Sequence, residues 1–294
     1  MWVLFACLSS VFAGVTAILG KLGVKDTDSD VATAIRTGVV LVLSFVVTWI
    51  TGELKVIGNV SPKSYLFLAL SGLATGASWI CYFKALSLGE VTKVAAVDKC
   101  GVVLSVIFAM IIFPAERVNW WIKLICLAFI AVGTYLMIEI KKDDVAEEGE
   151  NKKAVGWLIF AFLSAVFAAA TSILAKICIE NVPSNLGTTL RTVVVLVMAW
   201  AIVLGKGKAP LVKTVSKRDL LFLVLSGVAT AASWLCYYYA IAYGQVSIVV
   251  PIDKLSILFT VACSVLVLKE KLKPKAWVGL AMLVAGTVCM AIFA

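Results

Sequence analysis

The sequence contains no histidine, and this absence removes the most common metal ligand and general base of proteins. Its 8 cysteines all fall inside apolar segments without the spacing of a metal site, so we interpret them as small buried hydrophobic residues. The chain also offers no activated nucleophile. We therefore expect no metal, no cofactor and no enzymatic activity.

Charged residues are scarce as well. They make up 15% of the chain, while 62% is hydrophobic and the mean hydropathy is +1.06. A soluble domain of this size could not bury so much apolar surface, because much of its surface must face water. The excess indicates a multi-pass protein of the cell membrane, in contact with the lipid bilayer. The net charge of +9 does not indicate nucleic-acid binding, because the basic residues lie between apolar spans.

Ten apolar segments are long enough to cross a bilayer core of about 30 Å, which takes about 20 helical residues. In lipid the backbone must satisfy its own hydrogen bonds, and the segments lack the alternation of barrel strands, so we predict helices. The first segment resembles no cleavable signal peptide and is expected to be retained. The predicted spans are residues 2–24, 31–51, 64–88, 92–113, 118–140, 154–179, 186–205, 218–243, 246–268 and 274–293.

Two stretches of the first half recur in the second half at a constant offset of 155 residues. FACLSSVFAGVTAILGK at 5–21 matches FAFLSAVFAAATSILAK at 160–176. LFLALSGLATGASWICYFKALSLG at 66–89 matches LFLVLSGVATAASWLCYYYAIAYG at 221–244, with 15 of 24 positions identical. We therefore predict two five-helix repeats, residues 1–140 and 154–294, joined by a charged linker at 141–153.

Each predicted repeat crosses the membrane an odd number of times, so the second repeat must lie upside down relative to the first. Inverted repeats are typical of transporters that open alternately to the two sides of the membrane. The loops after odd-numbered spans carry 15 lysines and arginines, against 4 in the loops after even-numbered spans. This bias predicts that the odd loops are cytoplasmic and that both termini lie outside.

These features together resemble the drug/metabolite transporter superfamily, EamA type, over the whole chain. The second half also resembles single-repeat, five-helix bacterial and archaeal relatives in ILAK at 173–176, LRT at 190–192, ASWLCYYYAI at 232–241, PIDKLS at 251–256 and KEKL at 269–272. The first half keeps ILGK, IRT, ASWICYFKAL and VDK, but departs at Ala96, at Cys100 and at PAERV, which replaces KEKL. The resemblance implies an all-α bundle of ten transmembrane helices in two inverted repeats, which transports small organic solutes.

Ionisable residues inside the spans are costly in lipid and are therefore candidates for gating or coupling. Snorkelling of the basic side chains to the headgroups and static ion pairs between helices are open alternatives. The candidates are Lys21, Arg36, Asp98, Lys99, Lys176, Arg191, Asp253 and Lys254. The predicted pairs, which would close the two mouths of a central cavity in turn, are Asp98 with Arg36 or Lys21, and Asp253 with Arg191 or Lys176.

A second group of candidates is aromatic. Spacings of three and four residues place several rings of each repeat on one helix face, as in the wall of a small-solute site. Core packing and interfacial aromatic belts are open alternatives, the belt above all for Tyr238, Tyr239 and Tyr243. The predicted substrate-binding residues are Trp79, Tyr82, Lys84, Trp234, Tyr237 and Tyr239.

The most economical function is transport of a small organic metabolite by alternating access around a central cavity. Basic residues inside the spans outnumber the acids, which favours an anionic or zwitterionic solute. If Asp98 or Asp253 binds and releases a proton during the cycle, transport would be coupled to protons. A flippase for an anionic lipid headgroup is the alternative. The sequence does not decide the substrate, the direction of transport or the oligomeric state.

Overall fold

The computed structural model describes residues 1–23, 27–88, 91–137, 148–179, 182–266 and 273–293, and the regular structure in these ranges is helical. Helices suit the composition, because they satisfy their backbone hydrogen bonds internally wherever apolar side chains face lipid. Short 3₁₀ segments also occur at Glu53–Asn59, Pro114–Arg117 and Ala209–Thr214. The helices are α1 (Trp2–Gly23), α2 (Ser29–Ile50), α3 (Pro62–Leu88), α4 (Val91–Ile112), α5 (Trp120–Met137), α6 (Glu148–Ile179), α7 (Ser184–Gly205), α8 (Lys217–Tyr243), α9 (Val246–Lys254), α10 (Ser256–Leu266) and α11 (Pro274–Phe293).

The predicted all-α, polytopic fold is confirmed. Eight helices of the described ranges are long and apolar enough to cross a membrane, and α4 contains a shorter apolar segment, Cys100–Ile112. One boundary differs from the prediction, because α6 begins at Glu148 and so includes the last residues of the predicted linker. Residues 141–147 of that linker lie outside the described ranges.

The ninth predicted span is built from two helices instead of one. Pro251 lies inside α9, and the main-chain N–H of Leu255 donates to the carbonyl oxygen of Ile252 at 3.0 Å, a tighter turn than that of an α-helix. Helix α10 then starts at Ser256. The span is therefore interrupted directly after the Asp253-Lys254 dipeptide.

The described chain forms two compact units, and each contains helices from both sequence repeats. Unit 1 comprises Met1–Gly76, Leu174–Gly244 and Ser256–Cys263. Unit 2 comprises Ala77–Ile173, Gln245–Leu255 and Ser264–Ala294. The compact units therefore differ from the repeats, whose boundaries stay a prediction.

In unit 1, helices α2 and α7 pack side by side in opposite directions. Thr48 near the end of α2 shares a hydrogen bond of 2.8 Å with Thr189 near the start of α7. At the other end, Lys206 just after α7 contacts Asp30 in the first turn of α2 at 2.9 Å. The starts of α2 and α7 occupy equivalent positions of the two repeats, and their placement at opposite ends of the pair is the arrangement that inverted repeats require.

The loops of unit 1 gather in the same alternating manner. Thr27, before α2, donates to the carboxylate of Asp219 in the first turn of α8 at 3.3 Å. At the opposite end, the carboxylate of Glu53 accepts from the Asn185 side chain at 2.7 Å and from the main-chain N–H of Leu186 at 2.9 Å. The loops after spans 1 and 7 thus meet at one end of unit 1, and the loops after spans 2 and 6 meet at the other end. Which end faces the cytoplasm stays a prediction.

Unit 2 is held together by close backbone contacts and by a buried polar network. A Cβ atom added to Gly133 of α5 would lie 2.6 Å from the carbonyl oxygen of Gly279 of α11, so the two helices pack without side chains between them. Helix α4 packs against α5 and α9. The Ser78 hydroxyl of α3 donates to the carbonyl oxygen of Ser164 of α6 at 3.0 Å.

Candidate functional site

Helices α3 and α8 carry five-residue patterns that differ at one position, SGLAT at 71–75 and SGVAT at 226–230. An arginine of a neighbouring helix packs against each pattern. The glycine of each pattern allows the close approach. A Cβ on Gly72 would lie 3.0 Å from the carbonyl oxygen of Arg191, and a Cβ on Gly227 would lie 3.1 Å from the carbonyl oxygen of Arg36. Helix α7 thus packs on α3 in the same way as α2 packs on α8.

The threonine of each pattern orients the arginine. Thr75 donates its hydroxyl hydrogen to the carbonyl oxygen of Ser71 at 2.9 Å, and its hydroxyl oxygen accepts a bond of 3.0 Å from Nη1 of Arg191. In the other repeat, Thr230 donates to the carbonyl oxygen of Ser226 at 2.7 Å and accepts from Nη2 of Arg36 at 3.2 Å. Both guanidinium groups are therefore held at one nitrogen by a hydroxyl whose own proton is already engaged.

The Arg191 cluster consists of Arg191, Thr75, Trp234 and Tyr238, all in unit 1. Arg191 is 1% exposed. Its guanidinium carbon lies 4.0 Å from the ring centroid of Tyr238 and 4.9 Å from that of Trp234, which are cation–π distances. Nε and Nη2 are buried and have no hydrogen-bond acceptor among the described residues. The cluster therefore holds a buried cation with one edge of its guanidinium group unsatisfied.

The aromatic side of this cluster extends along α8. Tyr238 is buried, and its ring meets that of Tyr237 edge-on at a centroid distance of 5.0 Å. Trp234 and Tyr237 are half-buried and pack with Tyr238 against Ala175 of α6. The predicted substrate-binding residues Trp234 and Tyr237 thus lie beside the predicted gating residue Arg191.

The Arg36 cluster consists of Arg36, Thr230, Thr16 and Ser226, also in unit 1. The hydroxyls of Thr16 and Thr230 lie 3.3 Å apart, and Ser226 donates to the carbonyl oxygen of Thr16 at 3.0 Å. Nε of Arg36 is buried without an acceptor among the described residues. Equivalent threonines therefore hold the two arginines, Arg191 through Nη1 and Arg36 through Nη2, and hydroxyls surround Arg36 where aromatic rings surround Arg191.

Lys176 has a structural contact of a different kind. Its Nζ donates to the main-chain carbonyl oxygens of Ile241 at 2.8 Å and of Gly244 at 3.0 Å. A lysine at this place donates to the free carbonyl groups at the end of α8, and its positive charge interacts favourably with the negative end of the helix dipole. Its predicted pairing with Asp253 stays a prediction.

Asp253 and Lys254 lie half-buried at the end of α9, immediately before the interruption of the span. The Lys254 Nζ lies 4.0 Å from a carboxylate oxygen of Asp253, the outer limit of an ion pair. Adjacent helical residues point about 100° apart, so a longer pair is expected from the helix geometry alone. Asp98 and Lys99 lie on α4 and Lys21 on α1, but their side chains lie outside the described part of the structure, and their predicted roles stay predictions.

The remaining aromatic and basic candidates have surroundings of other kinds. Tyr82 packs against an apolar cluster around Val94 and Ala161 of unit 2. Trp79 is half-buried, and Lys84 is exposed. Tyr239 lies against Phe5 of α1, with ring centroids 4.3 Å apart, and against Tyr243 at 4.7 Å. Their predicted part in substrate binding stays a prediction.

Sequence reasoning missed three contributors. Tyr238 is not among the predicted substrate-binding residues, yet it is 4% exposed and its ring lies against the guanidinium group of Arg191. Thr75 and Thr230 were overlooked within the small-residue patterns of α3 and α8. Their equivalence across the repeats, at the offset that also relates the two arginines, is the signal that would have found them.

A buried acidic network was also missed. Glu116 is 3% exposed, and its carboxylate accepts from the main-chain N–H groups of Val246 at 2.6 Å and Ser247 at 3.2 Å, at the start of α9. Lys123 is one of the four basic residues that the sequence analysis assigns to the loops after even-numbered spans. It is instead fully buried in α5 and donates to Gln245 at 3.0 Å and to the Glu116 carbonyl oxygen at 2.8 Å. The departure of PAERV from KEKL in the first repeat is the sequence signal for this network.

Comparison with known proteins gives consistent matches. The model of the EamA-like transporter family matches residues 1–139 and 155–292. The chain is 43% identical over 138 residues to an uncharacterized transporter in the cobO 3′ region of Sinorhizobium sp, covering 46% of this chain and 95% of the relative. It is 30% identical over 135 residues to an uncharacterized protein of Methanocaldococcus jannaschii, covering 46% of this chain and 96% of that protein. Almost the whole of each relative thus corresponds to about half of this chain.

A solved structure described as "Crystal structure of protein" shows the same fold. It aligns with a TM-score of 0.77 over 100% of this chain and 97% of its own, at 15% identity. The likeness concerns the fold alone.

Proposed function

The chain belongs to the EamA-like transporter family, and on this basis we propose that it carries a small organic anion or zwitterion across the membrane, with Arg191 as the main contact of the substrate's anionic group. The family assignment makes it a multi-pass membrane transporter. The choice of an anionic substrate rests on one observation, the unsatisfied edge of the buried Arg191 guanidinium.

This edge has the geometry that a carboxylate requires. Nε and Nη2 of an arginine carry two parallel N–H groups, which a carboxylate or phosphate binds with two hydrogen bonds. In Arg191 these are the two nitrogens without an acceptor, while Nη1 is already bound by Thr75. The hydroxyl thus turns the guanidinium so that its free edge is available to a ligand.

The charge balance of the Arg191 cluster also favours an anion. A buried cation without an anionic partner costs on the order of several kcal/mol, because it has lost its hydration. Among the described residues no carboxylate pairs with Arg191, and the rings of Trp234 and Tyr238 offset only part of that cost. An anionic solute would supply the missing charge, and the half-buried rings of Trp234 and Tyr237 would contact its apolar part.

Alternating access is the mechanism that fits this burial. Nε and Nη2 are closed off from outside, so a solute reaches them only after surrounding helices have moved. The tightened turn at Leu255 is the place where we expect the ninth span to bend, because the regular main-chain hydrogen bonding changes there. Asp253, next to the interruption, is the candidate for coupling that movement to protons.

The proposal is tested by thermal unfolding of the purified protein with a panel of metabolites at equal ionic strength. The panel contains carboxylates, phosphates, zwitterions, amines and neutral solutes, because a specific ligand raises the unfolding temperature by mass action. We expect stabilisation by anionic or zwitterionic compounds only, and its loss in Arg191→Met. Arg218→Met, which removes the same charge from an exposed position on α8, is the matched control and should keep the response.

Two results would decide against the proposal. Stabilisation by amines, unchanged in Arg191→Met, would show that the substrate is a cation and that Arg191 does not bind it. Stabilisation by anionic lipids alone, with Arg191-dependent movement of labelled lipid between leaflets of reconstituted vesicles, would favour the flippase over a carrier of soluble metabolites.

A further inference from the structure

We propose that the transported solute carries two anionic groups and that it binds with one group at Arg191 and the other at Arg36. This inference rests on the proposed function, because it assumes that Arg191 binds an anion. It adds a second site for an anionic group, at Arg36 in the same unit, whose surroundings differ from those of Arg191. It also restricts the substrate class to dianions of a particular length.

The two guanidinium groups face the same side of α8. Arg36 binds the hydroxyl of Thr230, while Arg191 lies over the rings of Trp234 and Tyr238. These three α8 residues are spaced by four, so their side chains form one stripe along the helix. Both arginines therefore project onto a single face of one helix from two different neighbours, α2 and α7.

The distance between the two sites follows from the helix rise. Four residues advance an α-helix by about 6 Å, so Thr230 and Tyr238 lie about 12 Å apart along the axis, with Trp234 midway. Arg36 lies at the level of Thr230, and Arg191 lies between the levels of Trp234 and Tyr238. The two cations are thus separated along α8 by roughly 6–12 Å, the span of a short dicarboxylic or phosphorylated acid.

Arg36 offers such a ligand a single buried N–H group, because Thr230 already occupies one nitrogen of the edge that is free in Arg191. Its Nη2 is bound by Thr230, and its buried Nε has no acceptor among the described residues. The neighbouring position on α1 is Gly20, where an added Cβ would lie 3.5 Å from Nη1 of Arg36. The equivalent position in the second repeat is Ala175, so the first repeat leaves more room beside its arginine.

The charges require two negative groups. Within unit 1 two arginines face one stripe of α8, and among the described side chains no carboxylate pairs with either of them. Like charges at this separation repel each other in a medium of low dielectric constant, so one anion would relieve only half of the imbalance. A dianion lying along the ring of Trp234 would neutralise both cations at once.

A series of dicarboxylates from succinate to sebacate tests this geometry. Binding of each to the purified full-length protein is measured by isothermal titration, with the monocarboxylate of the same chain length as reference. We expect affinity to pass through an optimum at one chain length, where the dicarboxylate binds at least tenfold more tightly than its reference. Arg36→Met should abolish that optimum and weaken monocarboxylate binding far less than Arg191→Met does. Arg36→Lys should restore part of it, and Arg218→Met should keep it in full.

The outcomes separate the two proposals. Arg191-dependent binding of monocarboxylates, with no optimum among the dicarboxylates and no effect of Arg36→Met, would overturn the two-site inference and leave the proposed function standing. Anion binding that is unchanged in Arg191→Met would overturn the proposed function itself. If Arg36 is instead neutralised by Asp98, then Asp98→Asn should raise monocarboxylate affinity in an Arg36-dependent manner, which would also overturn the two-site inference.

Discussion

Replacing Glu116 by alanine should destabilise the protein by about 3–5 kcal/mol, the usual cost of removing one partner from a buried ion pair. The reason is the burial of both partners: Glu116 is 3% exposed and Lys123 is 0% exposed, with 3.8 Å between Nζ and the carboxylate. Without the carboxylate, Lys123 keeps two neutral hydrogen bonds but has no counter-charge. The N–H groups of Val246 and Ser247 also lose their acceptor, which on its own costs about 1 kcal/mol at a helix start.

Two further variants divide this magnitude into its parts. Glu116→Gln keeps one acceptor oxygen at the start of α9 and removes the charge, so we expect a smaller loss, about 1–3 kcal/mol. Lys123→Met in the Glu116→Ala background removes the orphaned cation, so the double variant should be less destabilised than the sum of the single changes, by about 0.5–3 kcal/mol. Lys213→Met, at an exposed lysine, is the control for the lysine substitution.

The assay is equilibrium unfolding in mixed micelles, combined with hydrogen exchange at the amides of Val246 and Ser247. In the wild type these amides are protected by the carboxylate, and in Glu116→Ala they should exchange much faster than the rest of α9. An equal loss of stability in Glu116→Ala and Glu116→Gln, with unchanged exchange at both amides, would refute the reasoning. The network would then contribute packing alone.

Three other predictions concern coupling, packing and the loops. Asp253→Asn should abolish uptake driven by a pH gradient in reconstituted vesicles while leaving solute exchange intact; unchanged proton-driven uptake would exclude the coupling role. Gly227→Ala should lower stability by about 1–3 kcal/mol, because its Cβ would lie 2.7 Å from that of Val39, whereas Gly38→Ala meets no atom within 4 Å and should be neutral or stabilising. Partial burial lowers the pKa of Lys208, but its hydrogen bonds to Asp28 and Asp30 outweigh this effect and raise the pKa above the ordinary value of 10.5. The stabilisation by Lys208, about 1 kcal/mol, is therefore complete below pH 10.5 and is lost as the pH rises through the raised pKa. Lys208→Met should remove this loss of stability at alkaline pH, as measured by unfolding at a series of pH values.

The fold could be predicted from the sequence because a bilayer leaves few solutions. Apolar segments of about 20 residues must be helical in lipid, and their ends follow from the charged and turn-forming residues between them. The repeat at an offset of 155 residues, together with an odd number of spans, then required inversion. The interruption at Leu255 could not be predicted from the sequence, because periodicity alone does not show where the hydrogen bonding of a span changes.

The candidate site could be predicted only in part, because its key contacts join distant parts of the chain. The sequence pointed to Arg191, Trp234 and Tyr237 separately, as a gating residue and as a cavity wall. It could not show that the ring of Tyr238 would lie 4.0 Å from the guanidinium carbon of Arg191, since that distance depends on how α7 crosses α8. Glu116 was hidden for a similar reason, because its partners are main-chain groups that begin at Val246 and have no side-chain signature.

Duplication has conserved the geometry of unit 1 while its chemistry has diverged, and this difference gives the two membrane sides unequal properties. Glu53 contacts Asn185 at one end of the α2–α7 pair, whereas the equivalent residues at the other end, Lys208 and Asp30, form an ion pair. The contact at the first end joins a carboxylate to a neutral amide, and the contact at the other end joins opposite charges. Salt therefore weakens the second contact more than the first. The two arginines diverge in the same way, because Arg191 lies against aromatic rings and Arg36 against hydroxyls. A single homodimeric repeat would have identical surroundings at both arginines, so a solute could not be held by a different group at each. A fused pair of repeats can bind the two ends of an asymmetric solute differently, and can therefore transport it in a defined orientation.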